Sequence, residues 1–142
     1  MIYTDNTRKA MKIAFDAHLN QVDKSGVPYV YHPIHLAEQM ETEEECIVAL
    51  LHDTVEDTDI TFEELEKDFS YTVIQALKLL THDPSVEYMD YVKEIKSNPI
   101  ARKVKLADLR HNSDLTRMSN PTEKDVERIE TKYRKAIEML SK

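Results

Sequence analysis

Residues 46 to 57 read Cys46-Ile47-Val48-Ala49-Leu50-Leu51-His52-Asp53-Thr54-Val55-Glu56-Asp57. The run Cys46 to Leu51 is the longest uninterrupted apolar segment of the chain, and it ends in a histidine and an aspartate. It is far too short to span a bilayer, and Thr42 with Glu45 just ahead of it has the spacing of a helix-opening capping box. His52-Asp53 follows Val48 and Ala49 by one turn, so a helix carries both polar groups off a buried wall, where they need compensation. Glu56 and Asp57 come three and four residues later, and a continued helix gathers all four side chains on one side of two turns. Three carboxylates beside an imidazole in a poorly hydrated pocket repel one another unless a cation sits among them. Imidazole and carboxylate without thiolate suit manganese, iron or zinc in open coordination.

Outward from this stretch, apolar residues recur at helical spacing: Met11, Ala14, Phe15 and Ala17 near the start, and Ile129, Tyr133, Ile137 and Leu140 near the end. Thr61 with Glu64 gives a second capping box, while Asn98-Pro99 and Asn120-Pro121 place an N-cap before a first-turn proline, and His32-Pro33 opens a helix likewise. Helices are predicted over 5–20, 33–40, 43–53, 62–69, 71–81, 86–97, 99–112 and 121–141. Gly26 to Tyr31, bracketed by Pro28 and Pro33, is expected to be a loop, because proline supplies no ladder donor. The fold class expected is all-α, with about eight helices and no significant sheet. The acidic run Glu41 to Glu45 is expected to be a solvated helix start.

The 142 residues amount to one domain. Gly26 is the single glycine where average usage gives about ten, which excludes glycine-rich nucleotide loops. The single cysteine, Cys46, excludes an internal disulfide and any multi-cysteine metal site, and fits a cytoplasmic protein. Neither a membrane span nor a secretory signal is expected. The net charge is −8, with thirteen acids and one base in residues 38–68 against six bases and two acids in residues 93–110. Such a chain repels polynucleotides at long range, while a local basic wall still suits a small anion.

Asp108 falls in register with Ile100, Val104 and Ala107 on the inward stripe of its helix. It is either a metal ligand or the partner of Lys105 or Arg102. His32 before Pro33 is a third candidate ligand, equally readable as a local backbone contact. His35 is a spare ligand or a packed surface histidine. His18 and His111 lie beside apolar residues, where a satisfied core or rim histidine is the usual outcome. His82-Asp83 before Pro84 is expected to be structural, in a surface turn.

Taken in order, Ala17-His18, Lys24-Ser25-Gly26-Val27-Pro28-Tyr29 leading into His32-Pro33, Leu50-Leu51-His52-Asp53-Thr54-Val55-Glu56-Asp57-Thr58, and Lys105-Leu106-Ala107-Asp108 with His111-Asn112 resemble the HD-domain phosphohydrolases. Within them the resemblance is to the hydrolase domain of the RelA/SpoT family, which degrades the alarmone (p)ppGpp. It implies an HD-type helical bundle over residues 1–142 in which His32, His52, Asp53 and Asp108 bind one divalent metal, usually Mn2+. It also implies that Glu56 and Asp57 handle the proton of the attacking water, and that Lys24, Ser25, Lys105 and Asn112 face the nucleotide. Two positions depart from the family pattern. Asp23 stands where an arginine usually precedes Lys-Ser-Gly, and Arg110 lies one residue later than the family arginine, about 100° around a helix.

The function expected is a metal-dependent (p)ppGpp 3′-pyrophosphohydrolase with no synthetase domain, since 142 residues leave no room for one. Two alternatives stand beside it: an HD phosphohydrolase acting on another nucleotide, such as a nucleoside monophosphate or NADPH, and a non-catalytic metal-containing binding module. The partner expected is a small nucleotide, with no polynucleotide and no membrane, and a homodimer is the base-rate expectation.

Overall fold

The computed structural model describes residues 1–142. The order of elements is α1 (Asp5–Ala17), α2 (Tyr31–Glu38), α3 (Glu43–Leu51), α4 (Thr54–Asp57), α5 (Phe62–Glu66), α6 (Tyr71–Leu80), α7 (Tyr88–Ile95), α8 (Pro99–Asn112), a 3₁₀ turn (Leu115–Arg117), α9 (Glu123–Arg128), a π-helical turn (Ile129–Tyr133) and α10 (Arg134–Ser141). The only β pairing is an isolated antiparallel bridge between Val22 and Pro28, so the all-α expectation holds.

The apolar run forms the central helix α3. All six residues from Cys46 to Leu51 are buried, and α3 packs against α1, α2, α6 and α8. A helix that is apolar all round must be enclosed by neighbours, which explains why the amphipathic elements arrange themselves about it. On α8, Val104, Ala107 and Asp108 are buried on the inward stripe. Asn98 caps that helix by accepting from the Ile100 and Ala101 amides at 3.1 and 3.0 Å, with Pro99 in the first turn.

Several expected boundaries shift for identifiable reasons. His32 does not cap α2: the helix starts at Tyr31 after an uncapped Val30, and Pro33 falls in the first turn, where its missing N–H costs nothing. Asn120-Pro121 is not a helix start either, because Thr122 caps α9 in a reciprocal box with Asp125. Thr42 accepts from the Glu45 amide at 3.2 Å, but the Glu45 carboxylate accepts from the Glu41 amide at 3.0 Å, so that box is half made. Thr61 and Glu64 form theirs in full. Phe15, one of the apolar residues at helical spacing in α1, is 52% exposed; the buried positions of that helix are Thr7, Ala10 and Ala14.

The largest difference is at the end of α3. A helix over 43–53 that continues through Asp57 does not form. Asp53 adopts φ −105° and ψ 0°, in the sparsely populated bridge region, and α4 follows as a separate single turn. Thr54 secures the break by donating its hydroxyl to the Leu51 carbonyl at 2.8 Å. The 121–141 helix is likewise interrupted by the π-helical turn.

Leu50 is fully buried in α3. Leu50→Ala is expected to destabilise the protein by about 2–5 kcal/mol in urea unfolding, and Asn98→Ala by about 1 kcal/mol through loss of the α8 cap. A Leu50→Ala loss below that range would mean that α3 is not the packing centre.

Candidate metal centre and its walls

Three separated parts of the chain converge at the carboxyl end of α3. His32 arrives in the first turn of α2, His52 and Asp53 at the break after α3, and Asp108 in the last part of α8. His32, His52 and Asp108 are buried, between 4% and 6% exposed. Ligating atoms of His32, His52 and Asp53 all lie within 4.8 Å of one another. Asp108 Oδ1 joins them at 2.8 Å from His32 Nε2 and 3.6 Å from His52 Nε2, and Asp53 Oδ2 lies 3.0 Å from His52 Nε2.

Each of these side chains is oriented from behind. The Nδ1 of His52 lies 2.7 Å from the Ala49 carbonyl, which requires a proton on Nδ1. Tyr29 donates its hydroxyl to Asp53 Oδ2. Lys105 donates to Asp108 Oδ2 and Asn112 to Asp108 Oδ1, each at 3.0 Å. The Nδ1 of His32 is 2.7 Å from Nδ1 of His111. Such outer partners set ring tautomer and carboxylate direction around metal ions.

Charge within the cluster is tightly balanced. Burial works against the His52 imidazolium, but Asp53 and Asp108 outweigh it and hold the group well above 6.5. Burial likewise raises Asp108, and Lys105, with His32 and His52 beside it, overrides it and holds the carboxyl well below 3.8. Asp53 is lowered by His52 against its own burial, while burial and Asp53 push the Tyr29 phenol up.

One atom shows that the donor set suits a metal. His52 Nε2 is buried and has no aligned hydrogen bond, and its near neighbours are carboxylate oxygens that cannot donate when ionised. With Nδ1 tied to the Ala49 carbonyl, Nε2 is the one position of His52 at which a proton can give way to a cation facing those oxygens. Two imidazole nitrogens and two carboxylates meeting in this way fit a divalent cation.

Glu56 and Asp57 occupy the one-turn α4 beside this cluster, both on its exposed side. Glu56 Oε1 accepts from the His82 backbone amide at 2.7 Å. Asp57 is fastened through its carbonyl to Gln21 Nε2 at 3.0 Å, and its carboxyl is raised by burial and by the charges of Asp53 and Glu56. The His82-Asp83 turn is structural, as expected: His82 Nε2 reaches the Val86 carbonyl at 2.7 Å, and Asp83 accepts from Ser85.

Two cavities adjoin the centre. One, of about 400 Å³, is lined by His32, His111, Tyr29, Asp23 and Arg117 among others. The second, of about 340 Å³, shares Tyr29, Asp23 and Arg117 with it and adds Lys24, Ser25 and Asn112, with Arg128 and Tyr133 opposite. Three of the four residues expected to face a nucleotide therefore share one wall. Their polar groups already have partners: Lys24 Nζ is 2.7 Å from Asp125 Oδ1, and Ser25 Oγ accepts from the Ser119 amide at 3.1 Å. Lys105 differs, with its ammonium held by Asp108 and lying 5.4 Å from the Tyr91 ring centroid; the salt bridge left open between Asp108 and Lys105 exists.

The two departures acquire a physical explanation. Asp23 Oδ1 accepts from the Ser25 and Val27 amides at 2.8 and 3.0 Å, forming the turn in which Gly26 takes φ +83°. An arginine, which has no acceptor, cannot take those two amides. The cation beside it comes from elsewhere: Arg117 Nη2 is 3.8 Å from Asp23 Oδ2. Arg110 is exposed, while Leu109 occupies the buried position.

Sequence reasoning assigned no role to Tyr29, Arg117 or the cluster contact of His111. His35 stacks on His111 with centroids 4.1 Å apart, rather than joining the ligand atoms. His18 is buried, with Nδ1 2.7 Å from Gln21 Oε1, but its Nε2 is buried without a partner, so it is only half the satisfied core histidine expected. Tyr29 sits inside the motif that carried the resemblance, so its position was a usable signal; Arg117 had none.

A family profile described as HD domain matches residues 10–135. The guanosine-3′,5′-bis(diphosphate) 3′-pyrophosphohydrolase MESH1 of Danio rerio is 39% identical over 123 residues, 77% of this chain and 68% of that one. The bifunctional (p)ppGpp synthase/hydrolase SpoT of Escherichia coli K12 is 31% identical over 121 residues, 74% of this chain and 17% of that protein. RSH1 of Arabidopsis thaliana is 49% identical over 71 residues, and the aligned part is only 8% of its length. A solved structure described as "A metazoan ortholog of SpoT hydrolyzes ppGpp and plays a role in starvation responses" superimposes with a TM-score of 0.79 at 27% identity, covering 99% of this chain and 88% of that one. With the profile spanning most of its length and the bundle shared with a SpoT ortholog, this chain belongs to the HD-domain family, whose members bind a divalent metal at a His/Asp cluster of the kind formed here.

Proposed function

We propose that this protein is a metal-dependent (p)ppGpp 3′-pyrophosphohydrolase, releasing pyrophosphate and GDP or GTP. The observation that carries this is the convergence of His32, His52, Asp53 and Asp108 beside two cavities walled by Arg117, Lys24 and Arg128. The names of the MESH1 and SpoT relatives and the likeness to the SpoT ortholog support the same substrate. Residues 1–142 act as one HD-type domain on a small nucleotide in the cytoplasm, a compartment that suits the lone buried thiol of Cys46. No helix is long and apolar enough to cross a membrane.

His32, His52, Asp53 and Asp108 would hold one divalent ion; the ligand types suit manganese, iron or zinc, and the family resemblance favours Mn2+. Such an ion supplies the positive charge that acidifies a water and polarises the phosphoryl oxygen under attack. The remaining work falls to the chain's own groups. Asp57 is raised by burial and by its acidic neighbours, which brings it closer to the range useful for taking a proton from the attacking water. Glu56, anchored by the His82 amide, keeps its second carboxylate oxygen available beside Asp57. The water oxygen forms a bond to the phosphorus attached to the ribose 3′ oxygen, the bond from that phosphorus to the 3′ oxygen breaks, and the 3′ oxygen takes up the proton that the water gave to Asp57. Lys24, Ser25 and Asn112, with Arg117, line the wall that receives the nucleotide. Lys105, expected to face the nucleotide, lines neither cavity and instead neutralises Asp108.

Asp23 favours a second reading, in which the same centre hydrolyses another nucleotide, because its carboxylate occupies a wall of both cavities. The two are separated by offering ppGpp, guanosine and adenosine mono- and diphosphates and NADPH to protein stripped of metal and then given Mn2+. Mn2+-dependent pyrophosphate release from ppGpp is expected. Release of monophosphate from another nucleotide, or silence in protein shown to hold metal, would sink the alarmone assignment.

Glu56→Gln and Asp57→Asn are each expected to lower kcat by about 10²-fold or more while leaving Mn2+ affinity intact. Ordinary turnover by either variant removes that residue from the mechanism. Mn2+ at about 100 times its Kd is expected to stabilise the fold by about 2.7 kcal/mol, read as a rise in Tm that His52→Ala abolishes.

A further inference from the structure

The pairing of His32 with His111 has no part in the steps above. The two Nδ1 atoms are 2.7 Å apart, and the rings are nearly coplanar, with 7° between their planes and centroids 5.0 Å apart. Two nitrogens at that distance share one proton, so one donates and the other accepts. The other nitrogen of His32, Nε2, lies 2.8 Å from Asp108 Oδ1. A neutral His32 that donates from Nε2 to Asp108 has a bare Nδ1, and His111 must then donate from its own Nδ1. A neutral His32 that offers its Nε2 lone pair to a metal carries its proton on Nδ1, and His111 must then accept, with its own proton on Nε2. Both arrangements hold two protons, one per ring, and only the second is compatible with ligation.

We propose that His111 is a positioning residue for the metal centre: it accepts the Nδ1 proton of His32 and so selects the tautomer whose Nε2 lone pair faces His52, Asp53 and Asp108. Metal binding then switches both rings together, His32 from Nε2–H to Nδ1–H and His111 from Nδ1–H to Nε2–H, with no net proton released by the pair. The acceptor is well held for this purpose. His35 covers one face of its ring, at 26° between planes, and Arg117 Nη1 donates to the His111 carbonyl at 2.7 Å. Because His111 is half-buried and lines the larger cavity, solvent exchanges the proton there. A histidine here fills the part more often played by a carboxylate or a carbonyl behind a metal-bound imidazole.

This inference rests on His32 being a ligand, so the experiment separates the two. Long-range 15N–1H spectra of the wild-type protein are recorded stripped and loaded with Zn2+, a diamagnetic probe, and Zn2+ affinity is measured by calorimetry for wild type, His32→Ala, His111→Phe and His111→Asn. On loading, His111 Nδ1 is expected to move to the unprotonated range and Nε2 to the protonated range. His111→Phe, which offers no acceptor, is expected to lose about 10- to 100-fold in affinity. His111→Asn, whose Oδ1 stands close to the place of Nδ1, is expected to recover most of that loss. A His111 still protonated at Nδ1 in the loaded protein, or His111→Phe binding as tightly as wild type, overturns the proposal. If His111→Phe fails to fold, the wild-type spectra decide. Wild type that binds no Zn2+, or His32→Ala that binds undiminished, instead overturns His32 as a ligand and the proposal with it.

Discussion

Asp108 is an ionised carboxylate buried in a helical bundle, and the centre of this protein depends on how that charge is compensated. Taking one such charge out of water costs several kcal/mol unless partners replace the lost hydration. Its Oδ2 has Lys105, and its Oδ1 has His32 and Asn112. Lys105 and Asn112 lie three and four residues away on the same helix, so α8 supplies much of its own compensation. His32 comes from α2, which ties the packing of α2 and α8 on the central α3 to the electrostatics of the site.

The geometry of the neighbouring groups follows from one interruption. A helix continuing past His52 would keep Asp53, Glu56 and Asp57 in a single regular array. The break at Asp53 instead turns that carboxylate back to His52 and Tyr29, and gives Glu56 and Asp57 their own short helix. Two types of carboxylate result. Asp53 and Asp108 are held low by cationic neighbours, whereas Asp57 is pushed up by burial and by like charges. Separation of this kind is what divides ligand work from proton work among chemically similar groups.

The walls of the cavities show the same economy with charge. Asp23 looks misplaced beside an anionic ligand until its two backbone hydrogen bonds are counted, since they build the tight turn at Gly26. Arg117 then stands next to it, between the two cavities, with its guanidinium oriented by the His111 carbonyl. A cation at that wall is thus retained by a residue far away in sequence.

By itself the sequence determined the helical class, the buried run of α3, and the caps at Asn98 and Thr61, and it singled out His32, His52, Asp53 and Asp108 as candidates, His32 and Asp108 only through the ordered motif, because periodicity, capping and motif order are written along the chain. The interruption at Asp53 was not legible, since nothing in Thr54-Val55-Glu56-Asp57 forbids a continuous helix. Tyr29 on Asp53, His111 on His32, the His82 amide on Glu56 and Arg117 beside Asp23 were decided only by the tertiary structure. Each joins residues 24 to 94 positions apart, and a hydrogen bond across such a separation is fixed by how helices pack, which no local pattern records.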